Sequence, residues 1–403
     1  MLTSLSFIFL LGLAMAAVCQ RLKLPRIIGM LLTGILLGPY ALNLLDPSIL
    51  AVSADLRQMA LIIILLKAGL SLNLADLKRV GRPAVMMACV PASFEIVGFL
   101  IFAPPILGVT RVEAAVMGAV LSAVSPAVVI PRMVQLMEER YGTDKSIPQM
   151  IMAGASCDDI FVIVLFSTFV TMAQGGAVHG TDLLNVPVSI ILGVALGVGT
   201  GYALSLFFEK AYVCGRYVRN STKVIILLGV SFLLMAVETW LKEIVSISGL
   251  LAVVSTACVL KIRSIPDVSS RLSEKFGKLW IAAEVILFVL VGAAVDIRYT
   301  LEAGLPALAM IAAALVFRSL GTMFCLFGTA LNLKERLFCI IAYLPKATVQ
   351  AAIGSVPLAL GLPCGALVLS VAVLAIVITA PLGALGMDLT YKKFLKKNGS
   401  IPA

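Results

Sequence analysis

The chain has 403 residues, of which 61% are hydrophobic and 13% are charged, and its formal net charge is +10. Soluble domains contain about 45–50% apolar and about 25% charged residues, so a chain of this composition could not bury its apolar surface in water. The composition excludes a cytosolic enzyme, a nucleic-acid-binding protein and a disordered protein. It predicts a protein whose main partner is the lipid bilayer.

Thirteen apolar stretches follow one another along the chain, and each approaches the roughly 20 residues that a helix needs to cross a bilayer. They run over 3–19, 27–45, 56–73, 83–105, 112–136, 147–173, 185–208, 222–240, 244–261, 276–296, 303–331, 335–361 and 364–388. The connections are too short for a soluble domain. The pattern predicts an all-α membrane protein with 13 transmembrane helices, in which residues 1–403 form a single membrane unit.

The distribution of Lys and Arg indicates which ends of the segments face the cytoplasm. Twenty-three of the 31 basic residues lie in the C-terminal tail or in the loops after odd-numbered segments, and four lie in the other loops. Basic residues concentrate in cytoplasmic loops. We therefore expect the N-terminus outside and the C-terminus in the cytoplasm. The single histidine, His179, lies in a glycine-rich loop, which argues against histidine chemistry within the membrane.

A weak internal repeat relates the two halves of the chain. A shift of 223 residues superimposes Pro83 on Pro306, Ala84 on Ala307, Met87 on Met310, Phe94 on Phe317, and Gly98 on Gly321. The fourth segment would cross the membrane from inside to outside and the eleventh in the opposite sense. The repeat is therefore inverted, as in many secondary transporters.

Asp158 and Asp159 are the most informative ionisable residues within the apolar segments. They lie about a dozen residues into the sixth segment, roughly 18 Å along a helix and so near the bilayer midplane. A charge there costs about 2.5–3.5 kcal/mol on insertion scales, which favours a functional role over a structural ion pair. A carboxylate binds either a proton or a hard cation such as sodium, and competition between the two is an exchange mechanism. We expect Asp159 to be the principal sodium ligand, with Asp158 assisting.

Prolines interrupt the fifth and the twelfth segments at corresponding positions of the two halves. The interruptions read Ser125-Pro126-Ala127-Val128-Val129-Ile130-Pro131 and Leu344-Pro345-Lys346-Ala347-Thr348. Proline frees backbone carbonyls, and irregular backbone at this depth is tolerated only within protein or beside a cavity. Paired broken helices indicate a transport site, although a plain kink in each helix is the alternative. Ser125 and Thr348 either offer oxygens to a cation or bond to their own helices.

Further charges lie within apolar segments. Glu95 and Arg318 coincide under the 223-residue shift, and their opposite charges predict a buried salt bridge between the fourth and eleventh segments. We expect the charged residues Lys346 and Glu284 to lie near the broken helices. A salt bridge between them is a further hypothesis. Since the chain has no ATPase signature, uphill transport would draw on an ion gradient, and no cofactor is expected.

These residues together resemble a known family. The start Leu24-Pro25-Arg26-Ile27-Ile28-Gly29 leads to Gly34-Ile35-Leu36-Leu37-Gly38-Pro39, and Pro345-Lys346-Ala347-Thr348-Val349-Gln350 follows much later. With the break at 125–131 and the Asp158-Asp159 pair, the whole chain resembles sodium/proton antiporters of the cation:proton antiporter superfamily.

The resemblance implies an architecture and a mechanism. It implies inverted repeats with two crossing broken helices, a homodimer, and ion-binding carboxylates at Asp158 and Asp159. A mobile ion-transporting core would comprise 83–173 and 303–388, a dimerisation scaffold 1–73 and 222–296, and a linker helix 185–208. The core would move like an elevator against the scaffold and carry Na⁺ or Li⁺ in exchange for H⁺.

One departure from the family pattern bears on stoichiometry. Electrogenic bacterial members usually have a lysine where this chain has Arg318, and its combination with Glu95 resembles the NHA-type branch. The short tails favour a bacterial member in the inner (plasma) membrane that serves pH homeostasis. Because arginine does not lose its proton in proteins, we expect electroneutral exchange of one sodium ion for one proton.

Other functions remain as alternatives. A potassium/proton antiporter, an electrogenic sodium/proton antiporter and an antiporter for an anionic substrate fit the same pattern, because ion coordination cannot be read from sequence. An ion channel would not need paired titratable carboxylates beside broken helices. An intramembrane aspartyl protease needs aspartates that converge from different helices, whereas Asp158 and Asp159 are adjacent.

Overall fold

Helices make up nearly the whole of the described chain. The computed structural model describes residues 1–22, 24–71, 81–174, 182–213, 218–241, 245, 247–296 and 304–397. His179 and six of the basic residues used to assign sidedness lie outside the described residues: Lys23, Lys78, Arg79, Arg216, Lys242 and Arg298.

The described residues form the following helices in chain order. They are α1 (Leu2–Arg21), α2 (Arg26–Leu37), α3 (Pro47–Ala51), α4 (Ser53–Ser71), α5 (Arg82–Met87), α6 (Val90–Leu107), α7 (Arg111–Ser122), α8 (Pro126–Glu138), α9 (Ile147–Gln174), α10 (Asp182–Val213), α11 (Asn220–Leu241), α12 (Gly249–Arg263), α13 (Pro266–Ala293), α14 (Gly304–Cys325), α15 (Leu333–Ala342), α16 (Thr348–Gly354), α17 (Val356–Ala359) and α18 (Gly365–Phe394). An isolated antiparallel bridge joins Tyr141 to Lys397.

Each predicted segment coincides with a helix or an interrupted helix, but some ends differ. The second helix ends at Leu37, not at 45, because Gly38 takes an extended conformation and Pro39 follows it. In the described part of the chain, nine helical stretches are long and apolar enough to cross a membrane, two of them counted across a short interruption. The all-helical membrane fold is therefore confirmed, while the number of 13 crossings stays a prediction.

The fold divides into two compact units. The first comprises residues 1–54, 73–162 and 288–403, and the second comprises 55–72 and 163–287. In the first unit α6 packs against α7 and α14, and in the second α10 packs along α12. Gly197 and Gly201 allow that second contact, because a Cβ at either position would collide with the backbone of α12. The predicted division into mobile core, scaffold and linker concerns movement and dimer contacts, and it stays a prediction.

The pair α6 and α14 reflects the internal repeat. Gly98 on α6 lies against the ring of Phe317 on α14, and Gly321 on α14 lies against Phe94 on α6. The 223-residue shift exchanges these two contacts with each other. The weak repeat in the sequence therefore corresponds to a helix pair with reciprocal contacts in the structure.

Candidate functional site

The first interruption separates α7 from α8. α7 ends at Ser122 and α8 begins at Pro126, and Ala123 and Ser125 between them have extended backbone. Pro126 has no N–H to continue the helical ladder, and its ring restricts the preceding Ser125 to extended conformations. The break was predicted over 125–131, but the unwound stretch is 123–125, and Pro131 lies inside α8.

The second interruption separates α15 from α16 and touches the first. α15 ends at Ala342 and α16 begins at Thr348, with Pro345 in the unwound stretch between them. The backbone N–H of Ser125 donates a hydrogen bond to the Pro345 carbonyl at 2.8 Å. The two broken helices therefore meet at their unwound stretches.

Asp158 and Asp159 lie beside this meeting point. Asp158 is the twelfth residue of the 28-residue helix α9. It is fully buried, and its Oδ2 accepts a hydrogen bond from the Val124 N–H at 2.7 Å. Asp159 is 7% exposed. Among the described residues, the Oδ1 atoms of both aspartates have no hydrogen-bond partner.

Arg318 connects the two breaks to two carboxylates. Its Nε donates to the Tyr343 carbonyl and its Nη1 to the Ser122 carbonyl, so each broken helix has one freed carbonyl bonded by this side chain. Nη1 also lies 2.9 Å from Glu95 Oε2, and Nη2 lies 3.4 Å from Asp158 Oδ2. The rigid, five-donor guanidinium suits acceptors arranged on several sides.

Lys346 pairs with Glu95, whereas the hypothesised partner was Glu284. The Lys346 Nζ lies 2.7 Å from Glu95 Oε1 and 2.5 Å from Oε2. A carboxylate has about four acceptor sites, so Glu95 serves Lys346 and Arg318 at once. Glu284 lies on α13, where its charge interacts with that of Lys67. The predicted bridge between Glu95 and Arg318 is therefore part of a larger cluster of charges, which also includes Lys346.

Ser125 and Thr348 lie at the two breaks, as their place in the sequence predicted. Ser125 is fully buried, and its Oγ has no hydrogen-bond partner among the described residues. Thr348 is the first residue of α16 and is 2% exposed. Coordination of a cation by either hydroxyl stays a prediction.

The buried cluster has an unequal number of acidic and basic groups. Glu95, Asp158 and Asp159 are its carboxylates, and Arg318 and Lys346 are its bases. With all five ionised, the formal charge is one unit negative. One proton or one monovalent cation at the aspartates brings this sum to zero, so the arrangement can hold either.

Sequence reasoning assigned no role to three groups at the two breaks. They are the Val124 N–H, the Tyr343 ring and the Gln350 side chain. Gln350 stands three residues after Ala347, the N-cap of α16, where its Oε1 accepts from the Ala347 N–H; this is only a weak sequence signal, because alanine has no side-chain oxygen to complete a capping box. No comparable signal distinguishes Tyr343, whose surroundings come from distant parts of the chain.

Comparison with known proteins identifies a family. The family described as "Sodium/hydrogen exchanger, transmembrane" matches residues 5–390. The chain is 34% identical over 388 residues to Sodium/hydrogen exchanger 9B2 of Mus musculus, covering 93% of this chain and 69% of that protein. It is 32% identical over 367 residues to Sodium/hydrogen exchanger 9B1 of Homo sapiens, covering 86% and 67%.

A solved structure has the same fold. The sodium proton antiporter MjNhaP1 from Methanocaldococcus jannaschii matches with a TM-score of 0.81 over 98% of both chains. The two sequences are 20% identical, so this likeness shows the fold alone.

Proposed function

Since the chain belongs to the sodium/hydrogen exchanger family, within the cation:proton antiporter superfamily, we propose that Asp159 alternately binds one proton and one sodium or lithium ion. The protein is a multi-pass membrane antiporter that exchanges sodium for protons. The proposal concerns where this exchange takes place and how many charges it moves.

The observation that carries the proposal is the set of unpartnered oxygens beside the two breaks. Asp158 Oδ1, Asp159 Oδ1 and Ser125 Oγ are buried without a hydrogen-bond partner among the described residues. Leaving a buried polar atom unsatisfied costs about 1–3 kcal/mol, so such atoms usually have a ligand. Oxygens are the ligands that hard cations prefer.

The two aspartates differ in a way that assigns their roles. Asp158 accepts hydrogen bonds from the Val124 N–H and from Arg318, and both donors favour its ionised form. For Asp159, by contrast, Oδ1 has no hydrogen-bond donor among the described residues. We assign the alternation between proton and cation to Asp159 and a fixed negative charge to Asp158.

The remaining features of the proposed mechanism draw support from the family and from the charge distribution. All groups of the cluster belong to the first compact unit, which supports an elevator-like movement of the site with its surroundings. The excess of basic residues in alternate loops supports an outside N-terminus and a cytoplasmic C-terminus. Residence in a bacterial inner membrane is a further part of the proposal. A homodimer completes the proposal.

The test is transport by purified protein in proteoliposomes, followed with a pH-sensitive dye while Na⁺, Li⁺ and K⁺ are added in turn. We expect Na⁺ and Li⁺ to drive proton movement and Asp159→Asn to abolish it while the variant melts like the wild type. Asp388→Asn is the matched control, because Asp388 is half exposed and pairs with Arg132 outside the cluster. Full exchange by a folded Asp159→Asn variant, or exchange driven by K⁺ alone, would contradict the proposal.

A further inference from the structure

Gln350 joins the two broken helices through its side-chain amide. The residue lies on α16 and is fully buried. Its Nε2 donates to the Ala123 carbonyl at 2.7 Å and lies 3.4 Å from the Leu121 carbonyl. Its Oε1 accepts from the Ala347 N–H at 2.8 Å. One side chain thus bonds the unwound stretch of the first broken helix and the start of the second.

The bond to Ala123 has a consequence for Asp158. The Ala123 carbonyl and the Val124 N–H belong to the same peptide group. Gln350 holds the carbonyl end of that group, and the N–H end donates to Asp158 Oδ2 at 2.7 Å. A planar peptide cannot turn one end without the other. The position of Gln350 therefore fixes the direction of the donor that Asp158 receives.

The same arrangement strengthens the donor electronically. Hydrogen bonds in series polarise one another, and the effect is larger in a buried site of low dielectric. The series here runs from the Gln350 amide through the Ala123–Val124 peptide to the Asp158 carboxylate. Donation to the Ala123 oxygen makes the Val124 N–H a better donor to the ionised carboxylate.

We propose that Gln350 is a positioning residue of the cation site, which acts through the Ala123–Val124 peptide to orient the Asp158 carboxylate. This positioning role deepens the proposed function and rests on it. Gln350 does not touch the cation. It sets the geometry in which Asp158 supports cation binding at Asp159, and so it sets the apparent affinity for sodium.

A purely structural role for Gln350 is the alternative, since its Oε1 also caps α16. The two roles predict different measurements. Loss of a cap lowers stability and leaves sodium affinity unchanged, whereas misorientation of Asp158 weakens the binding of sodium in a protein that still folds. The apparent KM for sodium, compared with the maximal rate, separates them.

The test uses sodium-driven proton movement in proteoliposomes with Gln350→Met and Gln350→Asn. The first keeps the length of the side chain but removes both hydrogen bonds, and the second keeps the amide but shortens its reach. We expect the apparent KM for sodium to rise about fivefold in both, because loss of one buried hydrogen bond has an effect of this order. The maximal rate should change less.

Thr256→Val provides a matched control for loss of a buried hydrogen bond between helices. Its Oγ1 lies 3.1 Å from the Gly197 carbonyl on α10 and 2.8 Å from the Ala252 carbonyl on its own helix, all in the second compact unit. We expect this variant to lose stability without a change in KM. Wild-type affinity in whichever Gln350 variant folds would overturn the proposal. Absence of sodium-driven exchange in the wild type would instead overturn the proposed function.

Discussion

Arg318 has a wider role at the residue scale than its pairing with Glu95 suggested. Its guanidinium also reaches Asp158 and bonds one freed carbonyl in each broken helix, those of Ser122 and Tyr343. Removal of Glu95 together with Arg318 would take away two opposite charges, but it would also leave Lys346 without its carboxylate partner. It would leave both carbonyls without a donor, so we expect it to restore only part of the lost stability.

Replacement of Arg318 by lysine tests this role. Lysine keeps the positive charge, but its single nitrogen cannot reach acceptors on several sides. We expect Arg318→Lys to lower the apparent melting temperature in detergent by about 5 °C or more, since breaking a buried charge network costs several kcal/mol. The measurement is thermal unfolding of the purified protein.

Arg132→Lys is the control for the same substitution at a more exposed pair. Arg132 bonds Asp388 through two nitrogens, both at 3.1 Å, and its side chain is 24% exposed. Exposed pairs contribute about 0–1 kcal/mol, so the melting temperature should hardly change. An equal change in melting temperature for Arg318→Lys and Arg132→Lys would show that positive charge alone accounts for the contribution of Arg318 to stability.

The sequence predicted those site residues whose chemistry is unusual for their position. Two adjacent aspartates within an apolar segment have a high free energy of insertion, which indicates a functional role. The internal repeat related Glu95 to Arg318. The partner of Lys346 could not be predicted, because it depends on how a break in α15–α16 approaches α6. Gln350 is polar and buried, but nothing in its local sequence shows that its amide reaches Ala123.

At the scale of the helices, the prolines predicted where the chain leaves the helical ladder. Pro126 and Pro345 each stand within or next to an unwound stretch. The contact between the stretches was expected only from the family resemblance, because local sequence does not determine which distant segment meets another. In the structure this contact is the hydrogen bond from Ser125 to Pro345.

The packing of α9 against the second break gives a test at this scale. A Cβ at Gly154 would collide with the Tyr343 hydroxyl, and that hydroxyl has no hydrogen-bond partner among the described residues. We expect Gly154→Ala to lower stability by about 1–3 kcal/mol, as overpacking does, and to slow exchange. Tyr343→Phe alone should be nearly neutral, and in combination it should rescue Gly154→Ala.

Gly229→Ala is the matched control, since a Cβ at that position on α11 would meet nothing within 4 Å. It should melt at or slightly above the wild-type temperature, because alanine favours helix over glycine. If Tyr343→Phe failed to raise the stability of the Gly154→Ala variant, the close contact with the Tyr343 hydroxyl would not explain why glycine occupies position 154. Thermal unfolding and sodium-driven exchange of the wild type and the four variants decide this.

For the whole molecule, the balance of buried charge predicts the stoichiometry. The cluster of three carboxylates and two bases becomes neutral when Asp159 holds one proton or one sodium ion. Lys346 is a second group that could release a proton, but two hydrogen bonds of 2.5 and 2.7 Å hold it to Glu95. If Lys346 and Asp158 keep their charges, the loaded site is neutral in both directions of transport.

Voltage is the most direct test of this central claim. Proteoliposomes with a potassium gradient and valinomycin hold a defined membrane potential while sodium drives proton movement. One net charge that crosses about 100 mV changes the free energy by about 2.3 kcal/mol, which is a large effect on an electrogenic cycle. We predict that the rate of sodium-driven proton movement is the same at zero, positive and negative potentials. A rate that rises with one sign of the potential and falls with the other would contradict the exchange of one sodium ion for one proton.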